Sequence, residues 1–170
     1  MTATEVYELT TRGGGTEFAR LIAACESFGP YCLIGGLAVN CYVESVYALD
    51  ADLVVVAASL SNLTAHLETQ GFQTEVNARA PRSELRIQFT TDERYQHFLS
   101  RAVDAEVLGI RVKVACREDV TRGTLWANAD PRRQLSKRKM DELDLIRLAE
   151  AYPELKSLYP SELRELLERG

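Results

Sequence analysis

Two short stretches carry the decisive pattern of this chain: Leu33-Ile34-Gly35-Gly36 and, thirteen residues later, Asp50-Ala51-Asp52-Leu53. The first stretch is predicted to end an apolar strand, turn at the glycines and begin a helix. The second is predicted to lie in a strand that is apolar apart from its two aspartates. Because alternate residues of a strand share a face, the side chains of Asp50 and Asp52 should project together.

These residue types suit the handling of phosphates and a divalent metal ion. Two neighbouring carboxylates repel each other, and burying both as anions is costly unless a cation lies between them. Carboxylate oxygens together with substrate phosphates are the ligands that Mg²⁺ prefers. The backbone N–H groups of Gly35 and Gly36 can approach a phosphate at the start of a helix. Phosphoryl or nucleotidyl transfer requires this combination, although each half of it alone is common.

The order of apolar strand, glycine pair and Asp-x-Asp strand resembles the signature of the nucleotidyltransferase superfamily, the polymerase-beta-like fold. A later part of the chain resembles the C-terminal motif of the AbiEii/AbiGii-toxin-like nucleotidyltransferases. The motif residues are Glu118-Asp119-Val120, Leu125-Trp126-Ala127, Asp130, Arg132-Arg133, Ser136-Lys137-Arg138, Asp141 and Asp144-Leu145. The resemblance implies an α+β fold, with a mixed sheet flanked by helices and then a C-terminal helical segment.

The same resemblance implies an activity, a cofactor and a set of site residues. The reaction would be the Mg²⁺-dependent transfer of a nucleoside monophosphate from an NTP to a hydroxyl of RNA, such as tRNA, or of protein, with Mn²⁺ as an alternative ion. Asp50 and Asp52 would bind the metal. The triphosphate would be held by Gly35, Gly36, Arg133, Lys137 and Arg138, and Asp141 would support the site. Many relatives are toxins, so a cognate antitoxin is an implied partner.

The chain departs from this family at the position of the third acid, which falls on Gln88. An amide can neither act as a general base nor add negative charge to a metal site. Two lysines that the family often carries are replaced by Thr124 and Met140. Removing such charges can lower a rate on the order of 10²–10³-fold. The sequence therefore leaves open a weak enzyme, an enzyme with altered chemistry, and a catalytically degenerate domain that binds nucleotide or a protein partner.

Composition limits the functions that this chain can have. Its 170 residues suffice for one domain with a core, and 20 Lys and Arg against 25 Asp and Glu give a net charge of -5. This balance excludes a uniformly basic nucleic-acid-binding protein. Residues 111–140, however, hold nine basic and three acidic residues, a net of +6, against -11 for the rest. The cluster over 132–139 is predicted to be either a solvated surface or a site for a triphosphate or an RNA backbone.

The remaining patterns predict location, domain limits and secondary structure. No apolar run reaches the ~18 residues of a membrane span, and the N-terminus lacks a signal pattern, so a cytoplasmic chain is expected. The four cysteines form no CxxC pair and are expected to be reduced and buried. The predicted units are a flexible segment over 1–15, a core over 16–117 and a helical segment over 118–170.

The predicted strands lie over 31–34, 49–57, 72–76 and 84–90, with a hairpin or a bent strand over 107–114. The predicted helices lie over 17–27, 37–47 and 131–151, and further helices begin at Ser59 or Ser61 and at Pro160. Asp92 is predicted to cap a short helix. Trp126 is expected in the core. Arg94 and Tyr95 are left either on the surface or near a base or ribose.

Overall fold

A computed structural model describes residues 2–74 and 78–170 of the chain. Its helices are α1 (Ala3–Thr11), α2 (Gly14–Phe28), α3 (Gly35–Val39), α4 (Ala57–Thr69), α5 (Arg117–Ala129), α6 (Leu135–Ala151) and α7 (Ser161–Arg169), with 3₁₀ helices at Glu93–Arg101 and Pro153–Leu158. Its strands are β1 (Tyr31–Ile34), β2 (Asp50–Val55), β3 (Ala78–Arg79), β4 (Arg86–Thr90), β5 (Val103–Val107) and β6 (Ile110–Val114).

The strands form one mixed sheet in the order β3-β4-β2-β1-β6-β5. Strand β2 lies at its centre, antiparallel to β1 and parallel to β4. Leu33, Leu53 and Ile87, from these three strands, are fully buried and belong to one continuous core that also includes residues of the helices. The predicted α+β class, a mixed sheet flanked by helices, is therefore confirmed.

Several predicted elements are confirmed because local signals and burial agree. Strand β1 has the predicted bounds, and β2 covers most of the predicted strand. Asp92 caps the 3₁₀ helix by accepting a hydrogen bond from the backbone N–H of Arg94 at 2.9 Å. Of the hairpin or bent strand predicted over 107–114, the structure has the hairpin, formed by β5 and β6, and it begins earlier, at Val103. The last two residues of the strand predicted over 72–76 lie outside the described part of the chain.

The N-terminal segment is a helix where the sequence predicted a flexible linker. Thr2 and Glu5 form a capping box, in which each side chain accepts a hydrogen bond from the other residue's backbone N–H. Gly13 then adopts a left-handed conformation, which turns the chain into α2. Gly14 and Gly15 are buried in the first turn of α2. The triple glycine thus forms a tight helix-to-helix turn.

Three further predictions about helix limits were wrong. Helix α3 ends at Val39 instead of continuing to residue 47, because the Asn40 side chain bonds the backbone of Val46 at 2.7 and 3.1 Å and shapes a loop. Helix α4 begins at Ala57, so neither candidate serine caps it.

The long C-terminal helix starts at Leu135 and not at residue 131. The carboxylate of Asp130 accepts the backbone N–H of Arg132 at 2.9 Å, and its carbonyl accepts that of Arg133 at 3.1 Å. Asp130 therefore caps a turn that precedes α6. This turn places Arg133 outside the helix.

All four cysteines are free thiols, of which Cys25 and Cys32 are buried as predicted, whereas Cys41 and Cys116 are partly exposed. Among the described residues, no helix is both long and apolar enough to cross a membrane.

Candidate active site

The predicted metal-binding aspartates lie at the centre of the sheet. In strand register, Asp52 pairs with Ile34 of β1 on one side and with Gln88 of β4 on the other. Asp50 and Asp52 share one face of β2, and Ala51, on the opposite face, is fully buried. The sheet thereby places the aspartates between the glycine turn that follows β1 and the amide of Gln88.

The glycine turn fits closely against the second aspartate. Gly35 has φ +72°, a left-handed conformation that favours glycine, and a β-carbon there would overlap with the carboxylate of Asp52. Gly36 has ordinary space: an added β-carbon would lie 3.5 Å from that of Ala48. The sequence placed both glycines at this site, and the structure gives Gly35 a steric reason to be glycine.

A cavity of about 160 Å³ opens beside this turn. It is lined from the sheet side by Gly35, Gly36, Asp52, Gln88 and Thr90, and from the helical side by Tyr95, Gly123, Thr124, Arg133, Asp141 and Asp144, among others. Helices α5 and α6 thus close over the aspartate face of the sheet. Four predicted groups meet here: the glycine pair, Asp52, Gln88 and the Arg133–Asp141 pair.

Burial and like charge make Asp52 a weaker acid than usual. Burial is the larger cause and the neighbouring Asp50 the second, and together they raise its pKa from 3.8 to about 6. Arg133 and Lys137 oppose this rise. A site that raises the pKa of a carboxyl in this way is one that an added cation would stabilise.

Asp50 is held between two cationic side chains. Lys137 Nζ donates to Asp50 Oδ2 at 2.7 Å, across 87 positions of sequence. The other oxygen, Oδ1, lies 3.1 Å from Nε of Arg86 but is buried without a hydrogen bond. Lys137 thus lies at the face of the sheet that carries the two aspartates. It was predicted to hold a triphosphate, and in this structure it contacts an aspartate.

Arg133 and Asp141 form a bidentate pair on the helical side of the cavity. Arg133 donates from Nε to Asp141 Oδ2 at 2.7 Å and from Nη2 to Oδ1 at 3.0 Å. Such a planar pair fixes the guanidinium while leaving donors for a further oxygen. The predicted supporting role of Asp141 is compatible with this geometry.

Arg138 is not part of this site. Its Nε donates to the carbonyl of Asn128 at 2.8 Å, and the Asn128 amide donates to the carbonyl of Arg138 at 2.9 Å. The two residues join the end of α5 to the start of α6. The prediction that Arg138 contacts the triphosphate is not supported by its position, because i+1 on a helix turns the side chain about 100° away from Lys137.

The donor set fits a divalent ion that also takes oxygens from a substrate. Among the described residues, no group of three or more His, Cys, Asp or Glu is arranged to hold a metal. Two neighbouring carboxylates are present, one with a buried oxygen that accepts no hydrogen bond, and Gln88 stands where a third acid was expected. Mg²⁺ commonly binds one or two carboxylates and completes its shell with waters and phosphate oxygens.

The sequence analysis gave no site role to two residues that contribute to it. Arg86 stands opposite Asp50 in the register of β4 and β2, a contact that strand pairing alone reveals. Asp144 lines the cavity and pairs with Arg147 at 2.7 Å, and burial raises its pKa. Its spacing of three residues from Asp141 on one helix was the available signal.

Comparison with solved structures shows that this fold is shared with nucleotidyltransferase-like proteins. A nucleotidyltransferase-like antigenic protein from Paracoccidioides brasiliensis matches with a TM-score of 0.58 at 18% identity, over 91% of this chain and 92% of that one. The antibiotic-resistance factor ANT(2'')-Ia in solution matches with a TM-score of 0.54 at 18% identity, over 90% and 88% of the two chains.

A crystal structure of ANT(2'')-Ia in complex with adenylyl-2''-tobramycin matches with a TM-score of 0.50 at 16% identity, over 86% of this chain and 98% of that chain. No family model matches the sequence, and no curated protein does. These likenesses are to the fold.

Proposed function

We propose that this protein is a Mg²⁺-dependent nucleotidyltransferase that moves a nucleoside monophosphate from an NTP to a hydroxyl of RNA or protein. One observation carries the proposal: Asp50 and Asp52 share a strand face beside a glycine turn that has no room for a side chain at Gly35, and an arginine lies across the cavity. These are the parts that bind a metal and a triphosphate together. The solved structures of the same fold include an adenylylated product, which favours this chemistry.

In the proposed reaction the acceptor oxygen forms a bond to the α-phosphorus of the NTP. The bond from that phosphorus to the oxygen bridging to the β-phosphate breaks, and its electron pair leaves with pyrophosphate. The acceptor's proton passes to solvent water, because the amide of Gln88 cannot take it. Asp50 and Asp52 would hold the Mg²⁺, which supplies charge stabilisation at the phosphate oxygens when bound.

The protein groups divide the remaining work between binding and orientation. Gly35 and Gly36 line the cavity at the start of α3, where their backbone N–H groups would donate hydrogen bonds to a triphosphate. Arg133, fixed by Asp141, would offset charge on the phosphates. Lys137 would add a second cation once it leaves Asp50 for the substrate.

A second candidate function is a degenerate domain that binds nucleotide or a partner without turnover. The specific observation in its favour is that Lys137 and Arg86 already neutralise Asp50, while Gln88 replaces the third acid. A cation fixed at this carboxylate competes with a metal ion for it.

Two measurements separate these candidates. With each NTP and Mg²⁺, thermal unfolding should shift upward in the parent and not in Asp50→Asn/Asp52→Asn. NTP labelled in the α-phosphate should then label total RNA or protein. A thermal shift without labelling by any of the four NTPs supports the degenerate domain that binds nucleotide. No shift at all rules out nucleotide binding in either candidate.

The toxin role and the antitoxin partner rest on the resemblance to the AbiEii group. Induced expression of the chain in bacteria should arrest growth, and Asp52→Asn should relieve the arrest. Normal growth with the parent at equal protein levels would remove the toxin role while leaving nucleotidyl transfer to the labelling assay.

A further inference from the structure

An open groove of about 760 Å³ adjoins the candidate active site and has no role so far. It shares Gln88, Tyr95, Ala127 and Arg133 with the catalytic cavity, so the two spaces are continuous. Its other lining residues are Arg94, Trp126, Ala129, Asp130 and Arg132. The groove therefore begins at the reacting centre and leads away over the 3₁₀ helix and the turn before α6.

Strand order fixes which side of the aspartates this groove occupies. Strand β2 lies between β1, which leads into Gly35, and β4, which carries Gln88. In phosphoryl transfer the attacking and leaving oxygens lie roughly in line on opposite sides of the phosphorus. With the β- and γ-phosphates at the glycine turn, the attacking hydroxyl arrives from the β4 side. The groove opens on that side.

One wall of the groove is formed by planar side chains on which a flat ring can stack. The guanidinium of Arg94 lies over Trp126, 5.3 Å from the ring centroid, and Tyr95 meets the same indole edge-on at 5.0 Å. Trp126 stacks in turn on the buried Phe98 at 5.7 Å, which holds the platform in place. Aromatic rings and arginine planes are the usual partners of unstacked nucleobases.

The charges of the groove favour an anionic acceptor. Three arginines line it and one carboxylate, Asp130, does so. Arg132 pairs with Asp130 and Arg94 with Asp92, but Arg132 is 88% and Arg94 59% exposed. Exposed pairs of this kind are weak, and an arginine keeps further donors for a phosphate. A polycationic aminosugar, by contrast, would have to approach three guanidinium groups.

We propose that this groove is the acceptor subsite and that it takes the end of a single-stranded RNA. A base of the strand stacks against the Arg94–Trp126 platform, and Arg132 binds the adjoining phosphate. This inference rests on the proposed nucleotidyl transfer, and it selects RNA over protein as the acceptor. It also separates this chain from the tobramycin-bound neighbour of the same fold.

The test measures binding of a short, fluorescently labelled single-stranded RNA by anisotropy, without NTP. Arg94→Gln/Arg132→Gln should weaken binding roughly tenfold and lower the salt dependence by about two phosphate contacts. Arg164→Gln removes the same kind of charge from the exposed surface of α7 and should bind RNA like the parent. A strand of equal length lacking bases should bind the parent more weakly.

Each result decides one part of the inference. Unchanged RNA binding by the double variant, or no RNA binding by the parent, overturns the groove assignment. Equal binding of the strand without bases overturns the stacking. Tobramycin binding to the parent, measured by calorimetry and weakened by the two substitutions, overturns the selection against cations.

The labelling assay distinguishes an error in the groove assignment from an error in the proposed nucleotidyl transfer. Weakened RNA binding in the double variant without label transfer by the parent supports an RNA site on a protein that is not an enzyme. If the double variant transfers label to RNA as well as the parent does, the nucleotidyl transfer stands and the assignment of the groove as acceptor subsite is wrong.

Discussion

Asp50 is bound by Lys137 and approached by Arg86, although it is one of the two residues that we assign to a metal. The 2.7 Å contact with Lys137 joins two partly exposed side chains. A metal ion at Asp50 must displace or share this ammonium. The affinity of the metal-free protein for a divalent cation is therefore lowered by its own lysine.

Lys137→Met should increase the affinity for Mn²⁺. Removing a partly exposed competing cation should contribute about 1 kcal/mol, a roughly fivefold lower dissociation constant. The measurement is the free Mn²⁺ signal by electron paramagnetic resonance. Lys139→Met is the matched control, because the exposed Lys139 pairs with Glu142 and not with the site. Equal changes of the Mn²⁺ dissociation constant in both variants would mean that the change in net charge, and not the contact with Asp50, causes the effect.

Asp52→Asn should stabilise the fold at neutral pH. The folded state raises the pKa of Asp52 to about 6 from 3.8, so between these values the folded state binds more protons than the unfolded one. The parent therefore loses stability as pH rises through this window. Asparagine removes this loss, which is about 3 kcal/mol above pH 7 and fades below pH 4. Urea unfolding of both proteins at several pH values measures the difference, and a constant difference contradicts the account.

At the scale of elements, the predicted bounds of a strand or helix were correct where a local sequence signal agrees with the burial of that element. Strand β1 is apolar, buried and ended by glycine, and its bounds follow from those facts. The start of α6 was misjudged because Asp130-Pro131 fits both a helix start and a turn. The choice is decided by contacts distant in sequence, since Arg133 must leave the helix path to reach Asp141. No local pattern contains that constraint.

The glycine turn gives a prediction with an internal control. Gly35→Ala should destabilise the protein by about 1–3 kcal/mol, because the left-handed backbone is strained and the added carbon meets Asp52. Gly36→Ala lies in a helix with ordinary contacts and should be neutral or slightly stabilising. Thermal unfolding of the two variants measures this difference. Equal losses would mean that Asp52 does not pack against Gly35.

Two arginines near the junction of α5 and α6 have different expected roles: Arg138 is structural, and Arg133 binds the nucleotide. Arg138→Met removes one of the two hydrogen bonds to Asn128 and should lower stability by about 1 kcal/mol, with NTP affinity unchanged. Arg133→Met should weaken NTP binding, since Arg133 lines the cavity. Calorimetric titration with NTP and Mg²⁺ measures both variants. Loss of NTP affinity in Arg138→Met would return this residue to the site.

At the scale of the whole molecule, only some basic side chains of residues 111–140 reach the site beside Asp50 and Asp52 of β2. Arg133 lines the cavity and Lys137 contacts Asp50, whereas Arg138 bonds to Asn128 instead. The sequence could predict the glycines, the aspartates and the absence of a third acid at Gln88. It could not predict the Arg86 and Lys137 contacts or the groove at Trp126, which depend on strand register and on helix packing.

The most direct test of the central claim follows both products of one reaction. The parent protein, NTP labelled in the α-phosphate, Mg²⁺ and total RNA should give pyrophosphate and RNA-bound label in equal amounts. Asp52→Asn should lower both by roughly 10³-fold or more, while Lys139→Met leaves them unchanged. Absence of bound label with every NTP, or equal labelling by Asp52→Asn, would contradict the account.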